Sequence, residues 1–397
     1  MVKVKDLTEL TLKDLWKEVK EEEDWWGDIN ERVLNMVKLI VESSLEEELL
    51  EQLQASKYRR SELRRGYRNG HYERSLYSQF GVIKALRIPR ARESYESKIL
   101  PRYQRRQEEV DEMVRNMFLA GVSTRRVGEV LSCIGGERIS AQTVSRISKS
   151  LDREVATYHC RRLSDKYLYL LFDGISLKVR GALKAQKRQV LTCYGITGDG
   201  KREIIDFRQS SSESEKQWEA FLSNLYNRGL EGSGCKLIVT DGCAGLHRAL
   251  ETVYPYIARQ RCWVHKMRNV ANRIRRRDEK QCLAGARLIY LAANRREAVK
   301  SFRDWEERWS QLYPKAINCI SKDLDELLSF MDCPVAHRIK VRTTNAIERS
   351  FREVRRRTRT MSCFTNSSSV DRIIFGVISH LNHGWQEKLL NEFTQLY

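Results

Sequence analysis

Two short runs constrain this chain most: residues 167–172, reading YLYLLF, and residues 236–240, reading KLIVT. Each stops on Asp-Gly, at Asp173-Gly174 and Asp241-Gly242. A nearly unbroken apolar run of this length has no polar side to turn to water, so it reads as a strand covered on both faces. Residues 189–196 and 203–207 read as two more strands around a Thr-Gly-Asp-Gly turn, and residues 256–261 as a fifth. Ser212 or Ser214 starts an amphipathic helix through Trp218, Phe221, Leu222 and Leu225, which Gly229 stops. Three hairpin-type strands, a helix and a buried strand predict a mixed α/β sheet.

The ends of buried strands are where sites form in open α/β sheets. A single Asp-Gly there is an ordinary turn pair; two on neighbouring strands call for a partner. Residues 343–359, TTNAIERSFREVRRRTR, supply a third carboxylate. Ile347, Phe351 and Val354 recur at helical spacing, and Arg352, Arg355 and Arg359 return to the stripe of Glu348. The plainer alternative is that Asn345 caps this helix, Glu348 closes a capping box and the arginines form a solvated face. Three carboxylates drawn together repel one another unless cations bind between them. Two Mg²⁺ or Mn²⁺ ions, roughly 3.5–4 Å apart, suit such oxygen ligands and in-line phosphoryl transfer.

Charge identifies the kind of partner. Of 397 residues, 72 are Lys or Arg and 53 Asp or Glu, a formal charge of +19, yet residues 1–53 carry a net −8. The remainder therefore holds a surplus that fits a polyanion, most often nucleic acid. The longest apolar runs are far too short to span a bilayer. No signal-peptide core opens the chain, and its ten cysteines form no CxxC pair, so a reducing cytoplasmic location without membrane association is expected.

Upstream, residues 6–55 read as helical, with Val33, Met36, Val37, Ile40 and Val41 as an apolar stripe. Residues 57–74 interleave seven basic residues with Tyr58, Tyr67 and Tyr72, a composition suited to phosphate contact and groove insertion. Residues 72–79 and 82–88 alternate around Phe80-Gly81, predicting a β-hairpin that ends at Pro89. Helices are expected at 108–119, 124–132 and 141–151, the last two capped by Ser123 and Ser140; helix, turn, helix is a DNA-reading arrangement as well as a common scaffold. A basic helix at 263–277 and a strongly helical segment at 278–333 precede the Glu348 helix, and an apolar helix at 371–381 follows it.

These motifs bring a resemblance into view. GYRNGHYER at 66–74, LRIPRAR at 86–92, LPRYQRR at 100–106, GVSTRRV at 121–127, VTDGCAGL at 239–246, QRCWVHKMRNV at 260–270 and TTNAIE at 343–348 are similar to those of bacterial insertion-sequence transposases related to the Mutator elements of plants. That group uses an Asp, Asp, Glu triad on a ribonuclease-H-like fold. The resemblance implies an α/β ribonuclease-H-like catalytic domain at 159–262 and 341–397, with an all-helical insertion at 263–340. Before it would stand a helical region at 1–55, of open role and a candidate for dimerisation, a basic β-hairpin region at 56–105, and a helix-turn-helix-like domain at 106–158.

Carried over residue by residue, the resemblance makes Asp173, Asp241 and Glu348 ligands of two Mg²⁺ (or Mn²⁺) ions, with His265, of the Cys262-x-x-His265 signature, an auxiliary near them. It implies binding of double-stranded DNA at terminal inverted repeats and at the target, cleavage to a 3′-hydroxyl, strand transfer by that hydroxyl through a circular intermediate, a homodimer that pairs two ends, and a nucleoid-associated location. Candidate DNA contacts are Arg59, Arg60, Arg64, Arg65, Arg68 and Arg74, then Gln142, Arg146 and Lys149, and near the carboxylates Lys266, Arg268, Arg352, Arg355 and Arg356. A catalytically inactive DNA-binding regulator and a structure-selective nuclease on the same fold are the alternatives. A tyrosine recombinase, suggested by His265, Arg268 and Tyr290, rests on a short motif that arises by chance in an arginine-rich chain.

Overall fold

A computed structural model describes residues 25–56, 62–92, 95–135, 138–180, 185–359, 364 and 366–394. The chain divides into two compact units, residues 1–118 with 122–148, and residues 119–121 with 149–397.

In the first unit, helix α1 (Trp25–Leu53) lies along a two-stranded antiparallel sheet, β1 (Arg68–Ser78) and β2 (Gly81–Ala91). Leu45 of α1 is fully buried against Leu76, Ile83, Leu86 and Ile88 of the hairpin. Acidic residues of α1 hold the hairpin and the segment after it. Glu46 holds Arg68 at 2.6 Å and His71 at 2.5 Å, Glu42 accepts from the Arg87 backbone, and Glu48 accepts from Tyr95, Ser97 and the Lys98 backbone. Part of the negative surplus at the N-terminus thus neutralises the basic hairpin. The hairpin does not end at Pro89: β2 runs on to Ala91, with Pro89 opposite His71. A two-stranded sheet has only edge strands, where the N–H that proline lacks is not needed by a further neighbour.

Three helices complete this unit, α2 (Glu108–Leu119), α3 (Thr124–Gly135) and α4 (Ala141–Ser148), around Val110, Val114, Val127, Leu131, Val144 and Ile147. The Ser123 and Ser140 hydroxyls accept from the Arg126 and Thr143 backbone N–H groups at 3.3 and 3.2 Å, closing the helix starts. α4 is shorter than its periodicity predicts, stopping at Ser148.

The second unit is built on a mixed five-stranded sheet, so its class is α/β. Strands β3 (Tyr167–Arg180), β4 (Ala185–Thr197) and β5 (Arg202–Ser210) form an antiparallel meander, and β6 (Leu237–Thr240) and β7 (Arg259–Arg261) add parallel to the other side of β3, in the order β5-β4-β3-β6-β7. Helices α6 (Glu215–Asn227) and α7 (Ala244–Val253) cover one face, burying Trp218, Phe221, Leu222, Leu246 and Leu250 with Leu170, Phe172 and Ile238. Before the sheet comes α5 (Leu151–Cys160). β3 departs from the expected 167–172: it continues through Asp173 and Gly174 for another turn-free stretch to Arg180, with Ile175, Leu177 and Val179 buried and Ser176, Lys178 and Arg180 exposed. Only one face of that half is buried, which explains why it alternates instead of running apolar throughout, and past the end of β6 the Phe364 backbone bridges to Val179.

Beyond β7, α8 (Trp263–Ala271), α9 (Arg276–Leu291), α10 (Arg295–Trp309), α11 (Pro314–Ser321), α12 (Leu324–Leu328) and a turn of 3-10 helix (Ser329–Asp332) form an all-helical stretch before α13 (Val335–Val341). The carboxylate-bearing helix, α14, spans Asn345–Thr358, and α15 (Ser367–Trp385) follows. Among the described residues all nine cysteines are free, and no helix is long and apolar enough to cross a membrane.

Candidate active site

Register brings the two aspartates together. β3 and β6 are parallel with Phe172 opposite Thr240, so Asp173 and Asp241 are each one residue further on, side by side where β6 runs out. Asp173 is only 5% exposed, and its Oδ1 accepts from the Gly174 N–H at 2.7 Å. Asp241 is fixed by a local turn in which Oδ1 accepts from the Cys243 N–H at 2.9 Å. Burial and then the neighbouring Asp241 push the Asp173 carboxyl up to about 7.

The third carboxylate arrives from α14. The helix begins after Thr344 without a side-chain cap, and Asn345 is already its first residue. Glu348 therefore closes no capping box. Its carboxylate turns toward α8, where His265 Nε2 is 3.5 Å from Oε1 and Arg268 is 3.8 Å from Oε2. Oε1 itself is buried and accepts no hydrogen bond. The imidazole is pushed up to about 9, first by the Cys262 thiol and, against its burial, by the Cys262, Asp173 and Glu348 charges. Cys262 is 1% exposed and takes the Thr344 N–H and hydroxyl at 3.3 and 3.4 Å, tying the start of α14 to the start of α8. Burial alone would raise this thiol, but His265 and Thr344 outweigh it, and it falls below the ordinary range.

A fourth carboxylate, Glu213, lies beside these, in the loop just before α6. A methyl group on Gly174 would overlap its Oε1, and a Cβ on Gly245 would come 2.6 Å from its backbone oxygen, so glycines let its loop settle between β3 and α7. Burial and Asp241 raise it. Only its position after Ser212 in a loop between strand and helix could have flagged it, and spacing alone does not.

Among the described residues, no three His, Cys, Asp or Glu side chains are gathered tightly enough to enclose a metal ion as they stand. The donor set nevertheless fits one. Carboxylate oxygens, which are hard ligands, lie near the ends of two neighbouring strands, one of them buried with no donor, and burial and then Asp241 push the Asp173 carboxyl up; a divalent cation would relieve both conditions.

The remaining candidates are scattered. Arg59 and Arg60 lie outside the described residues. Arg65, Gln142, Arg146 and Lys149 are exposed. Arg64 is half-buried, its guanidinium 5.2 Å from the Tyr67 ring, and Arg68 is held by Glu46. Arg74 donates to the Arg102 and Pro101 carbonyls at 2.7 and 3.3 Å. Arg268, Arg352, Arg355 and Arg356 are exposed, the last paired with Glu353 at 3.0 Å. Lys266 departs from expectation: it is 6% exposed, with its ammonium on Asp323 and the Cys319 carbonyl. It belongs to the inner face of α8 and braces α11.

A family model described as "Transposase, Mutator family" matches residues 8–388. The transposase for insertion sequence element ISRM5 of Rhizobium meliloti (strain 1021) is 33% identical over 353 residues, 89% of this chain and 88% of that protein. The transposase for insertion sequence element IS256 in transposon Tn4001 of Staphylococcus aureus is 31% identical over 357 residues, 88% of this chain and 90% of that protein. The corresponding figures for the transposase of insertion sequence element IS406 of Burkholderia multivorans are 34% over 337 residues, 84% and 86%.

Proposed function

Because the chain belongs to the Mutator family of transposases, a family of DNA-processing enzymes, we propose that it binds the terminal inverted repeats of an insertion sequence and cuts and joins DNA strands with Asp173, Asp241 and Glu348. The observation that carries this reading is the convergence of Glu348 from α14 with Asp173 and Asp241 at the step between β3 and β6. A meander of three antiparallel strands extended by two parallel ones supports a ribonuclease-H-like catalytic domain.

Asp173, Asp241 and Glu348 would hold two Mg²⁺ or Mn²⁺ ions, which supply activation of the attacking oxygen and stabilisation of the leaving oxygen in phosphoryl transfer. The protein's own groups do the rest. Arg268, Arg352, Arg355 and Arg356, exposed on α8 and α14, receive the phosphates flanking the scissile bond. His265, charged near neutral pH, keeps Glu348 oriented and offers positive charge to the phosphate. Hydrolysis forms a bond from water oxygen to phosphorus, breaks the bond to O3′ and leaves a 3′-hydroxyl. That hydroxyl then attacks a second phosphodiester, expelling its own 3′-oxygen, and joining the two ends of one strand would give a circle. End recognition falls to the hairpin and to the exposed face of α4 with Gln142 and Arg146, and a homodimer would hold two ends together at the nucleoid.

The test is strand cleavage and joining on a labelled duplex carrying the element's end, comparing wild type with Glu348→Gln in Mg²⁺ and in EDTA. Metal-dependent cutting that disappears in the variant while binding persists is expected. A variant that cuts as well as wild type refutes the role of Glu348, and binding without cutting in wild type favours a DNA-binding regulator.

A further inference from the structure

Beside the Glu348 helix, the second unit forms an open cavity of about 1050 Å³, bounded by α8, α9, α14, the end of α15 and strand β4. Its interior is largely apolar and includes the Tyr290 and Trp385 rings, while the described residues that line it include seven Lys or Arg and only two Glu. Three of the arginines, Arg268, Arg349 and Arg352, are exposed on α8 and α14. Arg268 also approaches Glu348 Oε2 at 3.8 Å, so cavity and carboxylates share a wall. The aromatic rings are already braced: Trp385 lies edge-on to Tyr194 with Arg202 over its face at 5.2 Å, and Tyr290 packs against Trp263 at 5.0 Å with Arg342 over it.

An apolar, aromatic interior behind an arginine rim matches the two halves of a nucleotide. A base taken out of a duplex loses stacking, which aromatic rings restore, and its phosphates stay outside with the cations. A paired duplex cannot enter a hollow of this size, and a purely apolar ligand would leave the arginine rim without a role.

We propose that this cavity seats an unpaired nucleotide of the bound DNA, extruded from the duplex next to the phosphate at the carboxylates. The inference rests on the proposed DNA-processing function and adds a binding site to it. Extrusion gives the enzyme a fixed register on the strand, because one base in the cavity sets which phosphate reaches Glu348.

The experiment compares the full-length protein's affinity for a fully paired duplex with that for the same duplex carrying one unpaired 2-aminopurine, whose emission reports its surroundings. Wild type is expected to prefer the bulged duplex at least about fivefold, with a change in emission on binding. Trp385→Ala, which removes a ring, and Leu283→Trp, which fills the cavity from α9, should each abolish the preference and the emission change while leaving affinity for paired DNA intact. Equal affinity for the two duplexes in wild type, or a preference kept by both variants, overturns the proposal. Variants that change oligomeric state with no change in base preference would assign the cavity to contact between copies, which also overturns it. Metal-dependent cutting by a wild type without bulge preference would sink this inference alone; a wild type that binds neither duplex would sink the function as well.

Discussion

Asp173→Asn should make the metal-free protein more stable while destroying its activity. In the folded chain the Asp173 carboxyl is pushed up from 3.8 to about 7, by burial and then by Asp241. Between those values the native protein holds a proton that the unfolded chain has released, so wild-type stability falls as pH rises through the window and levels off above it. At about 1.4 kcal/mol for each pH unit, the loss by about pH 8 reaches at most about 4 kcal/mol. Asparagine keeps the shape and can still accept from the Gly174 N–H, but carries no charge to bury. Urea titrations followed by tryptophan fluorescence in EDTA, at about pH 4 and about pH 8, measure the difference directly. The variant should match wild type at the lower pH and exceed it by a few kcal/mol at the higher one. Adding Mg²⁺ should raise wild-type stability at the higher pH and leave the variant unmoved. A flat wild-type profile across the window, or a variant weaker than wild type at the higher pH, would refute the charge-crowding argument.

Other expectations follow from particular contacts. Lys266→Ala leaves Asp323, whose side chain is 9% exposed, buried without its ammonium, and should cost about 3–5 kcal/mol in a urea titration with little change in DNA affinity; a large loss of affinity at unchanged stability would return Lys266 to the DNA-contact set. Arg146→Ala, on the exposed face of α4, should lower the preference for end DNA over unrelated duplex in a competition binding assay, and an unchanged preference would remove α4 from end recognition. Trp218→Ala empties a fully buried site between α6 and β3 and should cost about 3–5 kcal/mol, whereas Trp218→Phe should cost much less because its indole N–H has no hydrogen-bond partner; equal losses would show that the N–H matters after all.

Local chemistry was legible from the sequence. An unbroken apolar run declares a doubly covered strand wherever it occurs, so 167–172 and 236–240 announced the centre of an α/β sheet. Ser123 and Ser140 announced helix starts, because a hydroxyl reaches an N–H three residues on without help from the rest of the chain. The period of Ile347, Phe351 and Val354 likewise gave away α14 and its buried side, all three being at most 5% exposed.

What depends on a partner from elsewhere was not legible. The strand holding Asp173 runs on to Arg180 because β4 is long enough to pair with it, and the aspartate marks the end of β6 instead of the end of β3. Glu348 has the spacing of a capping box, yet its carboxylate answers to His265 and Arg268 from α8, about eighty positions away in sequence. Lys266 carries the same charge as Arg268 two residues later, but one faces Asp323 inside and the other solvent, a distinction made only when α11 packs against α8. Glu213 joins the aspartates solely because two glycines admit its loop. Sequence determines periodicity and caps, since these act over a few residues. Which charges meet, and so which are neutralised, buried or left poised, is a property of long-range contact, where Coulomb energy depends on burial and distance that no linear pattern records.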